Sequence, residues 1–237
     1  MARSEKPWAV VVTALACVLV TLGALVTAGV LRHQRATATG QEESPARTAT
    51  SGPGADGCLV APCTVLPVVT VGGTSVQLVA DAGGRSGRLQ IGGGGASFVI
   101  EVTITKYGAT LGADALQCVG GSLSACVVRG AGPQGVLGQL IVARSAKWAS
   151  KEKPFASDAS FVGLDEATGK QTGPEVLVAQ HRCDPNTTAD CAGTPVFVQV
   201  FSVNRDLLGC TRDYERLESL PGWPRPDLTQ ASIRPCE

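Results

Sequence analysis

The sequence predicts a mostly β, antiparallel domain of about 180 residues, cross-linked by disulfides and preceded by one membrane-spanning helix. Three observations predict it. Residues 8–31 form a 24-residue uncharged run. Eight cysteines follow residue 57, and none lies in a Cys-x-x-Cys pair. The rest of the chain is cut by turn residues into short segments with β character, one every 8–12 residues or so. That rhythm fits an antiparallel sandwich, barrel or propeller-like sheet and leaves all three open.

The run WAVVVTALACVLVTLGALVTAGVL covers Trp8 to Leu31 without a charge or a proline. At 1.5 Å per residue a helix of that length reaches about 36 Å, more than the roughly 30 Å hydrocarbon core. A retained signal anchor is expected. Cleavage after Val26-Thr27-Ala28 is the alternative, although the run exceeds the roughly 7–15 apolar residues of a signal peptide. A lipoprotein signal ending at Cys17 fits less well, because apolar residues continue through the cysteine. Residues 1–7 then form a cytoplasmic tail, too short to fold. Basic residues flank the run on both sides (Arg3 and Lys6, then Arg32 and Arg35), so loop charge sets no orientation.

The cysteines set it instead. Cys58, Cys63, Cys118, Cys126, Cys183, Cys191, Cys210 and Cys236 lack the short pairing that zinc knuckles and redox motifs need. Disulfides are the better account, and they require an oxidising compartment. Residues 58–237 are therefore expected outside the cytoplasm, at the cell membrane. Near-neighbour pairing is preferred: 58 with 63, 118 with 126, 183 with 191, 210 with 236. Between membrane and domain, residues 32–57 are rich in Thr, Ala, Gly, Ser and Pro and have no apolar period. They read as a disordered linker with an end-to-end distance of roughly 25–30 Å.

Along the domain, Thr64–Val71 comes first. Ser75–Ala80 and Gly87–Ile91 flank the turn signal Asp81-Ala82-Gly83-Gly84. Ser97–Thr105 alternates, with Phe98, Ile100, Val102 and Ile104 on one face, as a half-buried strand requires. The tetraglycine Gly92–Gly95 before it reads as a hairpin tip. Ala125–Arg129, Val136–Ala143, Ala159–Leu164, Glu175–Gln180 and Val196–Val203 continue the series. Helix is expected only at Arg212–Leu220, where Tyr214, Leu217 and Leu220 recur at helical spacing before Pro221. The proline-rich end, PGWPRPDLTQASIRPCE, is expected to be pinned by Cys236.

Charge narrows the function classes. Lys+Arg and Asp+Glu both number 20. An even balance argues against nucleic acid as a partner. Arg outnumbers Lys 14 to 6, and Val, Ala, Gly and Thr dominate. In composition the chain resembles single-pass membrane proteins of high-GC bacteria of the actinobacterial type.

No catalytic or cofactor signature emerges. Only His33 and His181 exist, so a Ser-His-Asp or Cys-His system would have to use His181. Ser150-Lys151-Glu152-Lys153 has Ser-x-x-Lys spacing, but Pro154 and the surrounding charges indicate a loop rather than a buried helix. Gly163 to Gly169-Lys170 is one residue too long for a P-loop, and Gln171 stands where Ser or Thr should bind magnesium.

Ser160–Ala179, SFVGLDEATGKQTGPEVLVA, resembles one blade motif of FG-GAP/VCBS-type repeats, with an aromatic residue, Leu-Asp, a Gly-containing loop, Pro-Glu and an apolar strand. The resemblance covers 20 residues and occurs once. It implies a β-hairpin of the kind that builds propellers. Calcium is held in that family by alternating Asp/Asn in the loop. Here Asp165 matches the first position, while Ala167 and Gly169 stand at the next two, so no metal or other cofactor is expected.

Two candidate binding features remain. Lys151 and Lys153, with Arg144 and Lys147, surround Trp148 and Phe155, which would suit anionic envelope polymers or lipid headgroups. Trp223, among prolines, would suit sugar stacking. The function expected is a membrane-anchored extracytoplasmic module that binds or supports an envelope ligand or protein. The alternative is an envelope hydrolase using paired carboxylates among Asp158, Asp165, Glu166 and Glu175.

Overall fold

The computed structural model describes residues 58–92, 98–121, 123–144, 147–167, 173–183 and 191–236. The expected tail, membrane helix and linker (residues 1–57) lie outside the described residues, as do most of the tetraglycine and residues 168–172 of the repeat-like segment. No described helix is long and apolar enough to cross a membrane.

The described chain is mostly β and antiparallel throughout. It forms three sheets, each built from strands consecutive in sequence. The N-terminal sheet contains β1 (Thr64–Val65), β2 (Val69–Val71), β3 (Thr74–Ala80), β4 (Gly87–Ile91) and β5 (Phe98–Glu101). The central sheet contains β6 (Leu116–Val119), β7 (Ser124–Gly132), β8 (Gly135–Arg144), β9 (Lys147–Ser150) and β10 (Phe155–Ser157). The C-terminal sheet has β11 (Val162–Asp165), β12 (Glu175–His181), β13 (Val196–Phe201) and β14 (Leu207–Cys210), in that order. None of the three closes on itself, so no barrel forms.

Tight turns make these meanders. Val71 pairs with Thr74, leaving Gly72-Gly73 as a two-residue loop. Both glycines have positive φ, +55° and +75°, the conformation that a twist-matched two-residue hairpin needs. At the other long hairpin, Gly132 pairs with Gly135 around Pro133-Gln134.

Alternation along the strands stacks the sheets. Cys126, Val128 and Ile141 of the central sheet join Val76, Leu78, Leu89 and Ile91 of the N-terminal sheet in one core. The opposite face, Ala125, Val127, Leu140 and Val142, joins Val162, Leu164, Val176 and Val178 of the C-terminal sheet in a second. On the far side of that sheet, Leu177, Ala179, Val198 and Val200 pack under Tyr214, Leu220 and Leu228 of the C-terminal segment. β7 and β8 thus bury both faces, which is why they read as near-continuous apolar runs.

Polar side chains bind the layers together. Gln139 on β8 is 1% exposed. Its amide donates to the Glu101 carbonyl (3.1 Å) and the Ser150 hydroxyl (2.8 Å), and its oxygen accepts from the Thr103 N–H (2.6 Å) and the Thr103 hydroxyl (3.1 Å). All its hydrogen-bonding capacity is used, so a buried polar residue costs little here.

The four near-neighbour cysteine pairs are the disulfides: Cys58–Cys63, Cys118–Cys126, Cys183–Cys191 and Cys210–Cys236. Cys118 and Cys126 face each other directly across β6 and β7, with Cα atoms 4.0 Å apart.

Several expectations are corrected. Arg212–Leu220 is not an α-helix. Tyr214 exchanges both main-chain hydrogen bonds with Val196, at 2.8 Å each, and only Leu217–Ser219 makes a 3-10 turn. The helical spacing instead serves to drop Tyr214 and Leu220 onto the C-terminal sheet. The Ser97–Thr105 strand ends at Glu101, and Ile104–Tyr107 turns as a 3-10 segment. Val102 and Ile104 are buried, but Phe98 remains 40% exposed at the sheet edge. Thr64–Val71 is broken at Leu66-Pro67-Val68, since proline interrupts a ladder. The strand expected at Ala159–Leu164 is Val162–Asp165, preceded by Ser160 at φ 61°.

Candidate functional site

The groove that best meets the requirements of a binding site lies where the edge of the central sheet meets β11 and the proline-rich segment. Two adjoining chambers of about 460 and 630 Å³ share Asp114, Arg129, Phe161 and Pro224. Each falls within the range of small-molecule sites, about 300–1,000 Å³. Trp223 and Ser160 border the first chamber; Gln117, Asp165, Arg225 and Asp227 border the second.

Arg129 stands between the chambers. Its Nε donates to the Asp114 carbonyl (3.1 Å), one Nη to the Asp114 carboxylate (3.1 Å) and the other to the Val162 carbonyl (3.3 Å). A guanidinium has five N–H donors, so two remain for the groove. Beside it, Gln117 mimics a strand. Its amide donates to the Leu164 carbonyl (2.9 Å), and its oxygen accepts from the Leu164 N–H (3.1 Å). Together these side chains occupy the outward edge of β11, which an exposed strand would otherwise offer for pairing.

The far wall is preorganised. Residues 221–227 fold into a compact loop: Asp227 N–H donates to the Pro221 carbonyl (3.0 Å) and Arg225 N–H to the Gly222 carbonyl (2.9 Å). Gly222 has φ +78°, and a Cβ there would sit 2.8 Å from the Arg225 carbonyl oxygen. The loop is clasped by Asp165, whose carboxylate accepts from the Glu166 N–H (2.8 Å) and the Leu228 N–H (3.1 Å). Trp223 is half-buried and stands edge-on to Phe161, ring centroids 5.5 Å apart. The carboxylate of Asp227 and the guanidinium of Arg225 are exposed, and no described hydrogen bond engages them.

The candidate residues named from sequence separate. Trp148 is buried between the N-terminal and central sheets, only 8% exposed, so it forms no surface with the lysines. That is a correction: Lys147–Ser150 is a strand, and its alternation turns Trp148 inward. Lys151 is half-buried and Lys153 exposed, on a loop held by Arg205, which donates to the Lys153 carbonyl (2.7 Å) and lies 4.1 Å over the Phe155 ring. Trp223 alone reaches the groove.

The four acids of the hydrolase alternative do not share one site. Asp165 faces Glu175 across the β11–β12 ladder, but both its oxygens are engaged by main-chain N–H groups, and Glu175 is buried. Asp158 lies beyond the other end of β11, accepting from the His181 N–H at 2.9 Å and facing the His181 ring at 3.6 Å. Among the described residues no three His, Cys, Asp or Glu side chains are grouped to hold a metal ion.

Arg129, Asp114, Gln117 and Phe161 were missed in the sequence. A signal did exist for Arg129, since a lone charge inside the apolar run SACVVRGAG needs a partner when buried. Nothing local marked the others.

The described residues define a disulfide-linked, all-β domain of three open sheets with a cleft beside Arg129. No family model, curated protein or solved structure matches the chain.

Proposed function

We propose that the chain is a membrane-anchored, extracytoplasmic module of the cell envelope that holds a ligand in the Arg129 groove. The observation that carries this reading is the pairing of all eight cysteines beyond residue 57. Four disulfides are stable outside the reducing cytoplasm, and the 24-residue uncharged run at 8–31 supplies an anchor of spanning length. Binding is favoured over hydrolysis because both oxygens of Asp165 are taken by main-chain N–H groups and Asp158 lies beyond the other end of β11, whereas the groove keeps free donors and acceptors on a fixed frame. Among the expected architectures, burial of the central sheet on both faces supports a sandwich extended by a third layer.

Protease added to intact protoplasts tests the topology. Loss of the domain with retention of the anchor is expected. Full protection overturns the reading, and a mature chain beginning near Gly29 shows cleavage instead.

A further inference from the structure

We infer that the groove takes a neutral glycan chain, with Trp223 as the stacking surface and Asp114, Arg129, Arg225 and Asp227 as hydroxyl partners. The inference rests on reading this groove as the binding site.

Four observations carry it. First, the groove offers donors and acceptors side by side. Arg129 has two unused N–H donors, the Asp114 side chain is 81% exposed with one oxygen unengaged, and Arg225 and Asp227 are exposed without described partners. A sugar hydroxyl donates one hydrogen bond and accepts others, so interleaved carboxylates and guanidiniums suit vicinal hydroxyls.

Second, the charges nearly cancel. Asp114, Asp165 and Asp227 stand against Arg129 and Arg225. Such a lining gives no field to hold a polyanion, and it would leave charges unpaired against an apolar ligand.

Third, an aromatic ring is held rigidly at the first chamber. The edge-on contact with Phe161 and the closed 221–227 loop fix Trp223 before any ligand arrives. The C–H faces of a pyranose ring lie flat on such an indole, and a fixed platform loses little entropy on binding. Fourth, an extended peptide adding to β11 would have to displace Gln117 and Arg129 from the strand edge. The two chambers run on from each other through four shared residues, which suits a chain of several rings over a single compact ligand.

The test is calorimetric titration of the purified full-length chain in sugar-free micelles. Probes are neutral hexose and N-acetylhexosamine oligomers of several units, poly-glutamate, and a proline-rich peptide. Saturable binding of at least one neutral oligomer is expected. Trp223→Ala should abolish it, and Asp227→Asn should weaken it about tenfold, the size of one charged hydrogen bond. The Asp227 carboxylate makes no described hydrogen bond or ion pair, so the melting temperature of Asp227→Asn should match wild type. Glycan binding untouched by Trp223→Ala would place the ligand elsewhere and overturn the inference. Binding of poly-glutamate or the peptide alone, lost in Trp223→Ala, would overturn the glycan while keeping the groove. No response to any probe would overturn both the glycan and the groove, leaving topology to the protease experiment.

Discussion

Asp81 is the residue on which the start of the domain hangs. It is 4% exposed at the end of β3. Its carboxylate accepts from the Leu59 N–H (2.7 Å) and the Ser86 hydroxyl, tying the Cys58–Cys63 loop to the N-terminal sheet. Burial works against its ionisation. Hydrogen bonds from Ser86 and from the main chain of Leu59 and Val60, with Arg88 near by, outweigh burial and hold the carboxyl below its ordinary range. A depressed folded value means that the stabilisation is present above the unfolded value, about 3.9, and is lost as pH falls through the folded one. Wild type should therefore lose melting temperature below about pH 4 more steeply than Asp81→Asn, which cannot ionise. Thermal scans from neutral to acid pH check this; parallel curves would assign the acid sensitivity to other groups.

At the scale of elements, the C-terminal segment matters most, because it both covers a sheet and builds a wall of the groove. It has no helix and only single 3-10 turns. It is held by burial of Tyr214, Leu220 and Leu228, by the Asp165 clasp, and by paired main-chain bonds between Cys210 and Arg234. The Cys210–Cys236 disulfide closes a separation of 26 residues, against 5 for Cys58–Cys63. On the chain-entropy account these loops contribute roughly 3.5 and 2 kcal/mol. Cys236→Ser should lower the melting temperature about 3–6 °C further than Cys63→Ser. Cys126→Ser is a poor comparison, since Cys126 is fully buried and a serine there would strand a hydroxyl. Equal shifts for Cys236→Ser and Cys63→Ser would show that the tail is held by packing alone.

For the whole molecule, the stacking order sets the order of local opening. The central sheet is covered on both faces, while the outer face of the N-terminal sheet leaves Val65 51% and Val99 56% exposed. Amides buried in bonded central strands open only with global unfolding, and those under thin cover open first. The slowest hydrogen exchange should fall at Ala125–Val128 and Gln139–Val142, and the fastest at Leu59–Val68. Mass spectrometry of exchanged peptides measures it, and slowest exchange in β12–β13 would put the stability core in the C-terminal sheet instead.

What the sequence by itself determined was whatever is local. Short apolar segments cut by turn residues located Val136–Ala143, Glu175–Gln180 and Val196–Val203 to within a few residues of β8, β12 and β13. The order of the cysteines along the chain anticipated all four pairs: Cys118 and Cys126 meet across adjacent strands, while Cys210–Cys236 ties down the end of the chain. Tertiary structure decided the rest. Whether Trp148 faced water or core depended on the register of β9 against β8, a choice that flips every side chain. Arg212–Leu220 forms no α-helix because Tyr214 bridges to Val196, and its spacing serves burial on the C-terminal sheet instead. The groove joins Asp114, Arg129, Phe161 and Trp223, residues drawn from four separate segments of the chain. Their meeting was fixed by which faces of the three sheets were apolar enough to stack, and no short-range pattern encodes that.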